Sequence, residues 1–166
     1  GGCSILSNEG EGPKITQATF GKVTDYDVKD ANNMGAAMAP SAMSTLLTHF
    51  ENTNTTPQDY DLIVTGDLGK LGAEILIDLM EYNGYKLGQN YMDCGHSIYT
   101  NAQHTSMGGS GCGCSALMLN SFILQKMREK EYRKVLFMAT GALLSTTSTF
   151  QGESIPGIAH AIVIEN

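Results

Sequence analysis

The sequence predicts an α/β fold, a sheet with parallel strands at its centre and an antiparallel edge. Three observations carry that reading. Segments of helical period at 36–50, 70–82 and 110–129 separate short apolar strand segments. Val135-Leu136-Phe137-Met138-Ala139 is apolar without alternation, as in a strand covered on both faces. The last two strand segments follow one another with only a loop between them, which suits an antiparallel pair at the edge.

The elements follow in order. Residues 2–7 (Gly-Cys-Ser-Ile-Leu-Ser) read as the end of a strand, cut off by a polar, glycine-rich break from Asn8 to Pro13. Ile15 to Val23 places Ile15, Ala18, Phe20 and Val23 among threonines, a β pattern. Asp25 to Asn33 is polar loop. Ala36 to Phe50 is a helix with Met38, Ala42, Leu46 and Phe50 on one face, and Pro40 is expected near its first turn, where proline does no harm. Tyr60 to Thr65 is a short apolar strand ended by Gly66-Asp67. Lys70 to Tyr82 is a helix with Leu71, Ile75, Leu79 and Tyr82 on one face, stopped by Asn83-Gly84. Asn90 to Thr105 is irregular and holds Asp93, Cys94, His96 and His104. The helix from Ser110 to Glu129 is apolar on nearly every face in its first half, which predicts a helix buried inside a layered protein. Val135 to Ala139 is a central strand, Gly141 to Ser154 is loop, and Gly157 to Glu165 alternates and closes the chain as a strand.

Length and charge narrow the function. The chain has 166 residues, enough for one domain with a sizeable core. A net charge of −7 argues against a nucleic-acid partner, which needs basic surface. No segment has the length and apolar purity of a membrane span, and the first residues lack a signal-peptide pattern. The four cysteines, Cys3, Cys94, Cys112 and Cys114, are too unevenly spaced for a disulfide framework and suit a reducing compartment. Cys94, His96, His104, Cys112 and Cys114 invite a zinc reading, but Cys-x-His and Cys-x-Cys are tighter than usual zinc spacings, so buried thiols are expected and no metal site is assigned.

The most informative stretch is Met107-Gly108-Gly109-Ser110-Gly111-Cys112-Gly113-Cys114-Ser115-Ala116, which runs straight into the long helix. Two readings stand. Glycines before a helix start can present N–H groups to a carboxylate or an oxyanion. They can equally let a buried helix pass close to its neighbours. Ligands on α/β sheets gather at the carboxyl ends of strands, where Gly66-Asp67, Gly141-Ala142 and this turn would meet.

The chain resembles the carboxyl-terminal half of a thiolase-fold protein and, more narrowly, the stage V sporulation protein AD family. The residues that carry this are Ile15 to Val23, Asn33-Met34-Gly35-Ala36-Ala37-Met38-Ala39-Pro40, Tyr60-Asp61-Leu62-Ile63-Val64-Thr65-Gly66-Asp67-Leu68, Asp93-Cys94-Gly95, Gly108 to Ala116, Ala139-Thr140-Gly141-Ala142-Leu143-Leu144-Ser145, and Glu153-Ser154-Ile155-Pro156-Gly157-Ile158-Ala159-His160. The resemblance implies a thiolase-like half: a five-stranded mixed sheet flanked by helices, one of them buried. Residues 1–13 would be the last strand and linker of an amino-terminal half, and 14–166 the carboxyl-terminal domain.

The family resemblance also implies a function. It implies a non-enzymatic, dipicolinic acid-binding component of the machinery that takes dipicolinate, with calcium, into the developing spore. That places it in the spore or forespore, peripheral at the inner membrane, beside membrane proteins of the same machinery. No cofactor is implied. The alternative is a thiolase or ketoacyl-synthase-like acyltransferase on coenzyme A thioesters. Two departures count against it. Ketoacyl synthases keep a histidine where this sequence has Thr65-Gly66-Asp67, and a histidine or asparagine near Gly109. A general base and oxyanion donors would both be lacking, and the family's nucleophilic cysteine lies in the other half. A third reading is an assembly module: a lone half exposes the apolar face that meets its partner half, so a homodimer is expected.

Asp67 is the first candidate for ligand contact, standing at the strand end; the competing role is the N-cap of the following helix. Dipicolinate is a dianion, so Asp67 would need a proton, a calcium ion or an intervening group. Gly108, Gly109 and Ser110 are candidates to offer N–H groups and a hydroxyl to a ligand carboxylate. Cys112 and Cys114 at a helix start invite a nucleophile reading, but no histidine partner is fixed by the sequence. His96 and His104 are loop histidines, and His160 is expected to be structural.

Overall fold

A computed structural model describes residues 3–109 and 111–166; Gly1, Gly2 and Ser110 lie outside the described residues. The strands are β1 (Lys14–Phe20), β2 (Leu62–Thr65), β3 (Tyr91–Asp93), β4 (Lys134–Ala142) and β5 (Gly157–Glu165). They form one five-stranded mixed sheet in the order β1-β5-β4-β2-β3. β2 runs parallel to both β3 and β4, with Leu62 opposite Val135 and Thr65 opposite Met138. β5 is antiparallel to β4 and to β1, and the β1 register shifts between Ile15 and Gln17. The parallel centre and antiparallel edge match the expectation, and the non-alternating run of β4 is explained by cover on both faces.

Two helices cover one face. α1 (Met34–Thr53) and α2 (Gly69–Tyr82) pack on Ile63, Leu136, Met138, Ala161 and Val163 through Leu46, Phe50, Leu76 and Met80. Asn33 caps α1, its side chain accepting from the Ala36 N–H at 3.3 Å. Because α1 begins at Met34, Pro40 sits beyond the first turn, inside the helix and buried, where it supplies no main-chain donor. α2 ends as expected at Asn83, whose amide donates to the Leu79 carbonyl at 2.8 Å, and Gly84 follows with φ of 83°.

The opposite face carries α4 (Cys114–Met118), a π-helical turn (Leu119–Ile123) and α5 (Leu124–Arg128), which run on as one rod. Cys114, Met118, Ile123 and Met127 are buried against Leu62, Val64, Val135 and Phe137. Their spacing of four, five and four residues is what a π turn produces: the extra residue returns Ile123 and Met127 to the sheet-facing side. Asn120 and Ser121 side chains donate to the Ala116 and Leu117 carbonyls, both at 2.7 Å, along this stretch. The expected all-round burial of this helix is corrected within this chain. Leu117, Leu119, Phe122 and Leu124 are only half-buried, and Leu117, Leu119 and Leu124 line a groove whose other wall includes the exposed Ile5 and Leu6.

Other boundaries moved too. Residues 3–7 form no strand; they are exposed and have no ladder partner among the described residues. The irregular stretch after Asn90 contains β3 and the one-turn α3 (Cys94–Ser97), and the loop after Gly141 contains α6 (Thr146–Phe150). α6 is started by Ser145, which accepts from the Ser148 N–H at 3.3 Å, and has no apolar period to announce it.

One buried network joins the layers. His49 on α1 lies between the Thr19 hydroxyl of β1 and the Tyr60 hydroxyl, each at 2.7 Å. It is 1% exposed. Burial, with the nearby Lys134 charge, holds its imidazole below the ordinary histidine range. The unfolded chain therefore takes the proton first as pH falls, so stability is full above about 6.5 and declines below it. Melting temperature should drop between pH 7.5 and pH 5.5 (buffer values of roughly one unit either side of the histidine midpoint), and the drop should be smaller in His49→Gln. An equal drop in both proteins would remove His49 as the cause.

Candidate functional site

The carboxyl ends of β2 and β3 are organised by one buried carboxylate. Asp93, the last residue of β3, is 3% exposed. Its Oδ2 accepts from the Thr65 hydroxyl at 2.7 Å and the Leu68 N–H at 2.9 Å. Its Oδ1 accepts from the Gly69 N–H at 2.9 Å and the His96 N–H at 3.0 Å. Thr65 spends its proton on Asp93 and so accepts from the Tyr91 hydroxyl at 2.9 Å. Asp93 thus caps α2 and α3 together. Burial pushes its carboxyl up, while the four hydrogen bonds pull the other way.

Asp67 is displaced from the capping role. α2 receives no side-chain cap from its own sequence neighbours, and its first N–H groups go to Asp93 instead. The half-buried Asp67 reaches across the site. Its Oδ2 accepts from the Gly111 N–H at 3.1 Å and its Oδ1 from the Thr140 hydroxyl at 3.3 Å. It therefore joins the end of β2 to the glycine-rich turn and to β4.

The turn itself is held by close backbone contact. Gly109 donates its N–H to the Gly95 carbonyl at 2.7 Å, and Gly108 donates to Thr105 at 3.1 Å. A Cβ on Gly109 would lie 2.6 Å from the Tyr99 ring, and one on Gly108, whose φ is 104°, would run into the Gly95 carbonyl. The expected donation of the Gly108 and Gly109 N–H groups to a ligand carboxylate is thereby corrected. Both donors are already paired, and packing requires these glycines. The expectation for the Ser110 hydroxyl lies outside the described residues.

The thiols are quiet. Cys94 is fully buried and Cys114 nearly so. Burial first, then the carboxylates of Asp93 and Asp67, pushes both thiols above their ordinary range, Cys94 the further, so neither is a thiolate at neutral pH. Cys112 and Cys3 are exposed. Among the described residues, no three His, Cys, Asp or Glu side chains come together to hold a metal ion. His160 accepts from the Gly21 N–H at 3.1 Å through Nδ1, a structural contact. His96 and His104 are brought together with Lys70 and Gly108 around a polar cleft of ≈ 430 Å³ that Asp67 does not line. Sequence reading passed over Lys70, which reads simply as the start of an amphipathic helix. It also passed over the role of Asp93, although an aspartate three residues before the paired His96 N–H carries an N-cap signature.

Comparison with known proteins follows this geometry. Residues 1–165 match the family described as Stage V sporulation protein AD. The Stage V sporulation protein AD of Bacillus subtilis (strain 168) is 46% identical over 164 residues, covering 99% of this chain and 48% of that protein. The chain thus spans about half the length of that curated relative. The crystal structure of 3-oxoacyl-(acyl-carrier-protein) synthase III from Aquifex aeolicus VF5 superposes with a TM-score of 0.50 at 13% identity, over 93% of this chain and 54% of that one. That likeness shows the thiolase-like fold.

Two outcomes follow from the site. Asp93→Ala leaves three backbone N–H groups without their acceptor and should cost about 3–5 kcal/mol, read as a lower urea midpoint at unchanged slope. A loss under about 1 kcal/mol would deny Asp93 its central place. Asp67→Ala should cost only about 1 kcal/mol and speed amide exchange at Gly111, whereas Asp67→Asn, which keeps an acceptor, should exchange like the parent.

Proposed function

The chain belongs to the stage V sporulation protein AD family, and on that premise we propose that it acts as the carboxyl-terminal half of a non-enzymatic, dipicolinic acid-binding component of spore dipicolinate uptake. The observation that carries the non-enzymatic part is the state of the strand ends. Asp67 stands where a ketoacyl synthase would need its base, and its carboxylate is taken up in fixing the glycine-rich turn and Thr140. The two thiols next to it are held protonated. Such a site positions groups and has no activated nucleophile of its own.

The partners proposed are those of the uptake machinery. Among the described residues no helix is long and apolar enough to cross a membrane, and peripheral attachment at the inner spore membrane through membrane-embedded proteins is the reading we adopt. In a protein carrying both halves, the amino-terminal half is proposed to cover the open side of the α4–α5 rod. A groove of ≈ 780 Å³ there is lined by Leu117, Leu119, Leu124, Ile5, Leu6 and Ile162, among others. The 166-residue chain alone, with that groove open, should self-associate. A monodisperse monomer in sedimentation at tens of micromolar would overturn the homodimer.

Titration calorimetry of dipicolinic acid into protein carrying both halves tests the ligand, with and without calcium. Measurable binding is expected, and Asp67→Ala should weaken it about tenfold if the carboxylate meets the ligand through calcium. Unchanged affinity removes Asp67 from the ligand contacts. Incubation with acetyl coenzyme A should add no mass to any cysteine, and a stable acyl adduct would establish the acyltransferase reading instead.

A further inference from the structure

We propose that the cleft between the start of α2 and the loop of residues 96–108 is a binding site for a small dicarboxylate anion, held by Lys70, His96 and His104. The choice of a dicarboxylate among anions rests on the dipicolinate reading above; the cationic character of the cleft does not.

The composition of the walls is the first argument. The chain carries 17 acidic and 10 basic residues, yet none of the residues lining this cleft is acidic. Three are basic or can become so, and Tyr99, Asn101 and Ser106 add hydrogen-bonding groups. In an acidic protein, a concave surface without a carboxylate and with three nitrogen bases draws anions. Among the described residues, the lysines in contact with carboxylates are Lys29, Lys126 and Lys134, and Lys70 is not one of them.

The second argument is that the bases come from three walls. Lys70 is on the first turn of α2, His96 on α3, and His104 just after the 3₁₀ turn of Asn101–Gln103. Bases on separate walls suit two carboxylates on a flat ring better than one compact anion. The volume of ≈ 430 Å³ falls in the range of small-molecule sites, about 300–1,000 Å³.

The third argument is rigidity. The Lys70 N–H donates to the Met107 carbonyl at 2.9 Å, so the helix and the loop form one unit. The Asp93 carboxylate fixes both the start of α2 and the His96 N–H. His104 and Ser106, neither a glycine, are held at φ of 53° and 54°. Such conformations persist where surrounding structure imposes them, and they cluster at ligand clamps. The cleft lies wholly within this chain, unlike a site shared between two halves.

The test is calorimetry on the 166-residue chain at one pH with three probes: dipicolinate, isophthalate (the same carboxylates without the ring nitrogen) and phosphate. Isophthalate and dipicolinate are expected to bind one to one, with phosphate at least about tenfold weaker. Lys70→Gln and His104→Gln should each weaken binding about tenfold, and Lys86→Gln, a distant lysine, should not. The same substitutions in protein carrying both halves decide the matter if the chain alone does not fold, as judged by circular dichroism. Parent-like affinity in Lys70→Gln and His104→Gln overturns the site, as does phosphate binding as tight as the dicarboxylates. If the folded chain binds neither dicarboxylate while the two-half protein binds dipicolinate, the cleft fails and the dipicolinate reading stands. If the chain binds isophthalate but not dipicolinate, and the two-half protein does not bind dipicolinate either, the site stands and the dipicolinate reading fails.

Discussion

The buried Asp93 carboxylate is the constraint on which the functional end of this protein depends. A carboxylate taken from water is costly unless its lone pairs are filled. Here they are filled by one hydroxyl and three backbone N–H groups drawn from β2, the start of α2 and the start of α3. Those donors are themselves orphans that strand and helix ends leave behind. Each side of the arrangement removes the other's penalty. The consequence is that three chain segments distant in sequence share one anchor, and the side chains they carry, Lys70 and His96 among them, are placed by it.

From that anchor outward, the glycine-rich turn acquires a definite role. Its N–H groups at Gly108 and Gly109 are spent on Thr105 and Gly95, and its Gly111 N–H on Asp67. Larger residues at 108 and 109 would collide with the Gly95 backbone and the Tyr99 ring. The turn therefore fastens the 95–109 loop to the start of the α4–α5 rod. An anion site built from side chains differs from one built from N–H groups: it can be emptied of charge by single substitutions without unravelling the backbone.

How much of this the sequence displayed follows from the range of the interactions. Strand and helix periods are local, so β2, β4, β5, α1 and α2 were readable from 62–65, 134–142, 157–165, 34–53 and 69–82 to within a few residues at their ends. The π turn was not, because 116–119 and 122–124 are all apolar and any helical register through them looks equally good. The four-five-four spacing of Cys114, Met118, Ile123 and Met127 acquires meaning only once the sheet face is known. At the site, Asp67 was visible as a strand-end acid. Its pairing with Gly111 and Thr140 spans gaps of 44 and 73 residues that no local pattern encodes. The two histidines of the cleft were visible as loop residues, and Lys70 was masked by its place in an amphipathic helix.

The same geometry leaves the thiols of this thiolase-like architecture without a group to ionise them. A nucleophilic thiol needs a positive neighbour or a general base to ionise. Cys94 and Cys114 have instead a dry environment and two carboxylates, Asp93 and Asp67, each of which opposes a thiolate. Asp93 is committed structurally, since losing it would strand three N–H groups, so the chain cannot relieve that field without losing its anchor. Meanwhile Lys70, His96 and His104 line a polar cleft whose walls carry no carboxylate. Negative groups therefore surround the thiols while basic groups line the cleft. The loop serves both: its backbone pairs with Asp93 and the glycine-rich turn, Ile98 packs against the core, and His96 and His104 line the cleft.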